Sequence, residues 1–309
     1  MAQLNFTEYD AFAQAVQDAS VVMRNCSLEE RRWTLQYATV GAMRLQRACE
    51  GGGTLAEGTT VNDGWVFFHQ SRPVCANGQS ATDNDIFVVP PGSEFCVTSK
   101  QAHEWLAIVI PSSLLFQSPA ELESATGAKP RLLKPPSSVT RQFTSLLLRI
   151  LSEIEKRPEL LAGTHAESCV QNEILQATKQ LFHQGQESSS RHYGYWYGQT
   201  KAVLEAKLNN PSESMSMPDV ARHLGVPERT LRSAFQKCYG LSPTECIRIY
   251  RLHQARQRLL TSEADQTTVT QVALDLGFWE LGRFAGAYRK LFGERPSETL
   301  HRSLRAVQT

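Results

Sequence analysis

The stretch TVTQVALDLGFWELGRFAGAYRKLFGERPSETL, Thr268 to Leu300, decides the fold of the C-terminal part of the chain. Val272, Ala273 and Leu276 recur at helical spacing. Gly277 follows, and glycine takes the left-handed conformation that ends a helix at little cost. A second stripe, Phe284, Tyr288 and Leu291, is closed by Gly293 and Pro296. The small Ala273 lies four residues before Gly277, and the bulky Phe284 seven after it. This spacing predicts two short helices that cross steeply, with Ala273 permitting the close approach.

A weaker copy lies upstream in MPDVARHLGVPERTLRSAFQKCYGLSP, Met217 to Pro243. Pro218 suits a first helical position. Val220, Ala221 and Leu224 form the first stripe and Gly225 the turn. Leu231 and Phe235 face inward on the next helix, which Gly240 and Pro243 close. Between the copies, Thr244–Leu260 carries Ile247, Tyr250 and Leu259 at helical spacing and reads as one connecting helix, roughly 25 Å long. Each copy follows the helix-turn-helix plan, whose second helix enters the major groove of DNA.

Two such units on one connecting helix resemble the AraC/XylS family of transcription regulators over about Tyr195 to Leu304. Gly277, Phe278, Phe284, Phe292, Gly293 and Pro296 carry the resemblance. Within the family, the stretches at 229–235 and 277–300 look like the branch that regulates ethanolamine and other amine-utilisation operons. The resemblance implies a cupin-like effector domain upstream and double-stranded DNA and RNA polymerase as partners. It implies a homodimer, and activation of a catabolic operon in response to a small metabolite such as an amine.

A chain of 309 residues suits two domains. We place an effector-binding barrel and helical dimerisation segment at 1–186, a linker at 187–193 and the DNA-binding domain at 194–309. The expected fold class is α+β: a cupin-like β-barrel with a helix pair, then an all-α domain. No apolar run approaches the roughly 20 residues of a membrane span. The opening MAQLNFTEYD lacks the order of a signal peptide, so the expected location is cytoplasmic. Seven scattered cysteines without a CxxC read as reduced thiols, most of them buried. Residues 190–309 hold 17 Lys and Arg against 11 Asp and Glu, whereas residues 1–189 hold 15 against 20. A basic half beside an acidic half fits nucleic acid bound by one domain only. Charge this modest also fits a plain solvated surface, and the motif decides between them.

Upstream, Phe6, Phe12 and Val16 suggest a short amphipathic helix within residues 5–20. From Trp33 to Pro111 the period becomes two, with turns at Gly51–Gly53, Asn62–Gly64, Asn77–Gly78 and Pro90–Gly92. Many short strands argue for a sandwich or small barrel. Residues 138–157 and 166–183 return to helical period. Their apolar stripe fits plain core and equally a dimer seam through Phe143, Leu147 and Ile150. The polar run Gln184–His192 reads as linker. Tyr193, Tyr195, Trp196 and Tyr197 just beyond it suit either the DNA domain's own core or docking against a neighbour.

Base readout needs outward side chains near the start of each second helix. In the first unit these are Arg229, Thr230, Arg232 and Ser233, and arginine can grip guanine with two hydrogen bonds. In the second they are Leu281, Gly282, Ala285 and Gly286, none of which makes a bidentate bond. Leu281 or Ala285 suits a thymine methyl, and Arg283, Arg289 and Lys290 suit phosphates. Trp279, at the helix entrance, reads as core packing. Direct readout should lean on the first unit.

For an effector, the aromatic candidates are Trp65, Phe67, Phe68 and Trp105 and the acidic ones Glu94 and Glu104. An aromatic wall with one carboxylate suits an amine. The same residues also fit barrel core and turns. His69 and the His103–Glu104 pair do not form a cupin metal set, so no metal and no cofactor are expected. No GxSxG, P-loop, HExxH or GxGxxG is present, and no enzyme is expected. The rivals are a DNA-binding protein controlled by a partner protein, and a cupin enzyme fused to a DNA-binding domain.

Overall fold

Period-two alternation builds the N-terminal half, and each strand separates two different environments. The computed structural model describes residues 3–16, 19–116, 118, 120–121, 128–157, 164–188, 193–209, 217–261 and 267–307. The strands are β1 (Leu4–Phe6), β2 (Ala19–Asn25), β3 (Trp33–Val40), β4 (Met43–Glu50), β5 (Thr54–Thr60), β6 (Gly64–Gln70), β7 (Val74–Ala76), β8 (Gln79–Ala81), β9 (Ile86–Val89), β10 (Glu94–Thr98), β11 (His103–Pro111), β12 (Arg131–Lys134) and β13 (Gln186–Ser188). They form an eight-stranded sheet in the order β1-β3-β4-β11-β6-β9-β12-β13 and a five-stranded sheet in the order β2-β5-β10-β7-β8. The two sheets lie face to face, and among the described residues no ladder joins them. The expected closed barrel is therefore an open two-sheet sandwich.

The helix expected within 5–20 is shorter, α1 (Tyr9–Ala15). The next residues form β2, which carries Val21 and Met23 on one face and Arg24 on the other. Leading helices α3 (Ser137–Lys156) and α4 (Thr164–Gln184) pack on the outer face of the eight-stranded sheet, preceded by a short α2 (Ser112–Leu115). The α3 stripe is consumed inside the chain. Phe143, Leu147 and Ile150 are buried with Trp65, Phe67 and Ile108 in one core, and Phe67 packs edge-on to Phe182. These three residues thus stand inside the protomer rather than on a surface that a second copy could reach. The start of the expected linker is also ordered into the sheet. β13 pairs with β12, and Glu187 makes an ion pair with Arg131 at 3.0 Å.

The C-terminal domain runs α5 (Tyr193–Asn209), α6 (Met217–His223), α7 (Glu228–Tyr239), α8 (Pro243–Thr261), α9 (Val269–Asp275), α10 (Leu281–Phe292) and α11 (Pro296–Val307). The two helix-turn-helix units repeat their backbone. Gly225 and Gly277 make the turns and Gly240 and Gly293 end the second helices, all at positive φ. Leu231 and Phe235 are fully buried in the first unit's core, and Ala273, Phe284 and Tyr288 in the second's. Phe278 packs on Phe284 at 4.8 Å between ring centres. The Thr268 hydroxyl accepts from the Gln271 amide and caps α9. Among the described residues, no helix is long and apolar enough to cross a membrane.

Candidate nucleic-acid interface and ligand cavity

The first unit presents Arg229, Arg232 and Ser233 to solvent on α7, with Thr230 half-buried beside them. Arg232 is held by Glu228 one turn back, its Nε donating at 2.7 Å. In the second unit Leu281, Gly282, Arg283, Gly286, Arg289 and Lys290 are exposed on α10 and Ala285 is half-buried. Arg283 pairs with Glu280 at 2.7 Å. The two units therefore share a motif: an acidic residue at the helix start restrains an arginine on the outward face. Trp279 departs from the sequence reading. It is 68% exposed, because α10 starts only two residues later and the chain enters it with the indole turned away from the core that Phe278 fills. At its entrance the outer face of the second unit thus exposes the apolar Trp279 and Leu281 and the two glycines beside the Glu280–Arg283 pair.

The sandwich docks on this domain without covering those faces. The outer side of the five-stranded sheet supplies Leu55 and Cys96 to the first unit's core. Glu57 on β5 gathers three donors: Arg24 at 3.0 Å, the Tyr197 hydroxyl at 3.1 Å and the Tyr250 hydroxyl. Burial and then the Glu57 charge push both phenols far above their ordinary value, so they remain donors. His253 on α8 is buried against the Asn25 carbonyl at 3.0 Å, and burial drives its pKa down to about 3. Arg256, only 2% exposed, reaches Asp10 of α1 and Glu294, and lies over the Phe292 ring.

The sandwich also touches the C-terminal ends of both second helices, where carbonyls lack helical partners. The Cys75 thiol donates to the Lys237 carbonyl at 3.1 Å, and Cys96 lies 3.6 Å from the Cys238 carbonyl. The Arg31 guanidinium donates to the Phe292 carbonyl at 3.0 Å. One body thereby sets the positions of both units. Burial raises the thiols of Cys26 and Cys238 to about 12 and of Cys75 to about 11, so they stay protonated. Of the aromatic run in the first turns of α5, Tyr197 is buried, Trp196 is partly buried and Tyr195 is 58% exposed. The side chain of Tyr193 lies outside the described residues.

Residues 220–302 match the family model described as a helix-turn-helix domain. The chain is 39% identical over 97 residues to the probable thc operon regulatory protein of Rhodococcus erythropolis, covering 31% of this chain and 28% of that protein. It is 40% identical over 100 residues to the XylDLEGF operon transcriptional activator 3 of Pseudomonas putida, covering 32% of this chain and 30% of that one. A solved structure of a probable AraC family transcriptional regulator from Rhodopseudomonas palustris CGA009 is 35% identical over 34% of this chain and 97% of its own, with a TM-score of 0.31. The chain belongs to the AraC/XylS family. It spans less than a third of the length of the two curated relatives named here.

In this AraC/XylS chain the space between the two sheets is a cavity of ≈ 110 Å³. The expected effector residues divide around it. Phe68 and Trp105 line it, with ring centres 5.9 Å apart. Trp65 and Phe67 lie in the core beneath the helix pair, Trp65 edge-on to Phe116. Phe67 and Phe68 are neighbours on one strand, so they point to opposite faces. Glu104 is exposed and pairs with Arg47 at 2.8 Å, and Glu94 is exposed at the cleft between sandwich and DNA domain. The acid inside the cavity is Glu50, the last residue of β4, which sequence reasoning passed over because three glycines follow it. Its position in period with Gln46 and Ala48 was the available signal. Trp105 Nε1 donates to Glu50 at 2.6 Å and the Thr54 hydroxyl donates to its other oxygen. Among the described residues, no cluster of His, Cys, Asp and Glu could hold a metal ion.

Proposed function

We propose that this chain is a sequence-specific DNA-binding regulator that activates transcription in response to a small molecule held between the two sheets. The pair of repeated helix-turn-helix units, each with an uncovered outward helix face, carries the reading. Arg229 and Arg232 read bases, while Arg283, Arg289 and Lys290 hold phosphates. Leu281 and Ala285 meet apolar base edges, and Trp279 joins them at the rim. A relative named as an operon activator supports activation, with RNA polymerase as the further partner. The small volume and apolar lining of the cavity favour a small effector over a protein partner. A cupin-like role for the sandwich, the domain limits 1–186 and 194–309, a cytoplasmic location and an amine-type effector belong to the same reading.

The five-stranded sheet is the coupling element. It is one strand layer thick, with Val21, Met23, Ala56 and Val97 toward the cavity and Arg24, Leu55, Glu57 and Cys96 toward the DNA domain. A ligand shifts an equilibrium only through different contacts in its two states. Since docking leaves the reading faces open, the effector acts by aligning the two units rather than by uncovering them. A homodimer would use surface other than Phe143, Leu147 and Ile150. Selection of bound sequences from a random duplex pool tests the proposal. Two short motifs about one helical turn, roughly 34 Å, apart are expected. Recovery of no enriched sequence from the full chain, with or without a metabolite mixture, would overturn it.

A further inference from the structure

The cavity is polar at one end and apolar at the other. Glu50 and His103 are directly paired across β4 and β11, and Thr54 and Ser99 close the same end. At the far end Val66 is paired with both Val109 and Val89, and Phe95 lies opposite on the other sheet. Phe68, Phe87, Trp105 and Met23 line the walls between. A molecule seated here has its head fixed by the pairing of strands and its body in an apolar, aromatic sleeve.

Two observations define the head. The Nδ1 atom of His103 is buried and has no hydrogen-bond partner among the described residues, on a side chain only 7% exposed. A buried polar atom without a protein partner is costly, and a water or a polar group of a bound molecule relieves that cost. Glu50 is 4% exposed, and each of its oxygens accepts one donor, from Trp105 and Thr54. Each carboxylate oxygen has capacity for a further donor. Among the described residues no arginine or lysine forms an ion pair with it.

We infer that the cavity selects a compact apolar molecule carrying one hydrogen-bond-donating head, neutral or cationic, and rejects carboxylates of the same shape. This rests on the reading of the cavity as the effector site. A hydroxyl donates to Glu50 while it meets His103 Nδ1. An ammonium head adds charge attraction to Glu50 and the faces of Trp105 and Phe68. A carboxylate head brings like charge against the buried Glu50, where solvent screens less than at the surface. Size is bounded too. An apolar cavity of about 150 Å³ takes benzene, so ≈ 110 Å³ takes a body of four or five carbon atoms.

Calorimetry of the full chain at pH 7 with n-butylamine, 1-butanol and butyrate tests this, because the three are unbranched four-carbon molecules that differ in the polar group at one end. The amine and alcohol are expected to bind, with butyrate weaker than the amine by about tenfold or more. Glu50→Gln removes the charge and should bring butyrate to within about threefold of the amine. Butyrate binding the wild-type chain as tightly as the amine, or binding of none of the three, would overturn the inference. Ala107→Leu fills the cavity and should abolish binding of the amine. Unchanged amine binding by that variant would put the ligand elsewhere, and the effector-cavity reading itself would fall. Selectivity in the wild-type chain tests the head class even where a variant does not fold.

Discussion

Arg256 on the connecting helix donates to Asp10 of the N-terminal helix at 2.8 Å, across 246 residues of sequence, and does so almost completely shielded from water. Removing one member of a buried ion pair leaves the other charge unpaired at a cost of about 3–5 kcal/mol, although a well-packed apolar replacement of the whole group can be neutral. Arg256→Ala should therefore destabilise the full chain by about 3 kcal/mol or more in urea unfolding. Arg289→Ala, on the exposed face of α10, should change stability by less than about 0.5 kcal/mol. Equal, small losses for both would mean that the Arg256 cluster does not hold the sandwich to the DNA domain.

His253 gives the interface a pH dependence whose sign follows from its burial. Its folded pKa of about 3 lies below the ordinary value of 6.5. Between those values the unfolded chain binds the proton and the folded chain does not. Stability contributed by the neutral ring is thus complete above about pH 6.5 and is lost as pH falls, by up to about 1.4 kcal/mol per pH unit. Unfolding at pH 7 and pH 5 checks this. The drop should shrink by about 1–2 kcal/mol in His253→Gln, which has no proton to gain. An identical drop in the variant would assign the acid sensitivity to the carboxylates instead.

How much of this was legible in the sequence differs between the halves. The DNA-binding half was legible because helix period and helix-ending glycines are local signals. The connecting helix expected at Thr244–Leu260 spans Pro243–Thr261. Trp279 was misread because aromatics are usually buried, and only the turn geometry after Gly277 turns the indole outward. The sandwich strands were legible as strands, but both faces of the eight-stranded sheet are covered. Residues of β6 therefore alternate between the helix-pair core and the cavity with no change in polarity to mark which is which. Trp65 and Phe68 looked alike for that reason. Glu50 escaped because it ends its strand before three glycines, and β2 because its outer face is covered by a domain distant in sequence, as in the Arg24–Tyr250 contact.

For DNA, the first unit should dominate base choice. Arg229→Ala should weaken binding to a selected sequence by about 1–3 kcal/mol and relax one base position. Arg289→Ala should weaken binding to all sequences evenly and reduce the slope of log K against log salt by about one. Trp279→Ala should leave stability within about 0.5 kcal/mol, since the ring is exposed, while reducing affinity for the selected sequence. Fluorescence anisotropy at several salt concentrations reads all three. Intact discrimination after loss of both Arg229 and Arg232 would remove the first unit as the main reader.

Glu57 lies on a strand that lines the cavity on one face and meets the DNA-binding domain on the other. It sits on β5 next to Ala56, which faces the cavity, and accepts from Arg24, Tyr197 and Tyr250 on the opposite face. Both tyrosines belong to helices of the DNA-binding domain, one before the first unit and one on the connecting helix. Hydrogen bonds to a charged group contribute about 1.5–3 kcal/mol each, so the pair of tyrosines is a substantial part of the docking energy. The double variant Tyr197→Phe and Tyr250→Phe keeps both rings and removes only the hydroxyls. It leaves the Glu57–Arg24 ion pair in place, so no charge is orphaned. Its sandwich and DNA-binding domain should unfold in two resolved transitions in scanning calorimetry, where the wild-type chain shows one. DNA binding without ligand should persist, because the reading faces carry neither tyrosine. The change in DNA affinity on adding a cavity ligand should fall toward zero, because the two domains no longer share one equilibrium. A single transition together with an undiminished ligand response in the double variant would show that coupling runs through another contact, with the Arg31 bond to the Phe292 carbonyl the next to test.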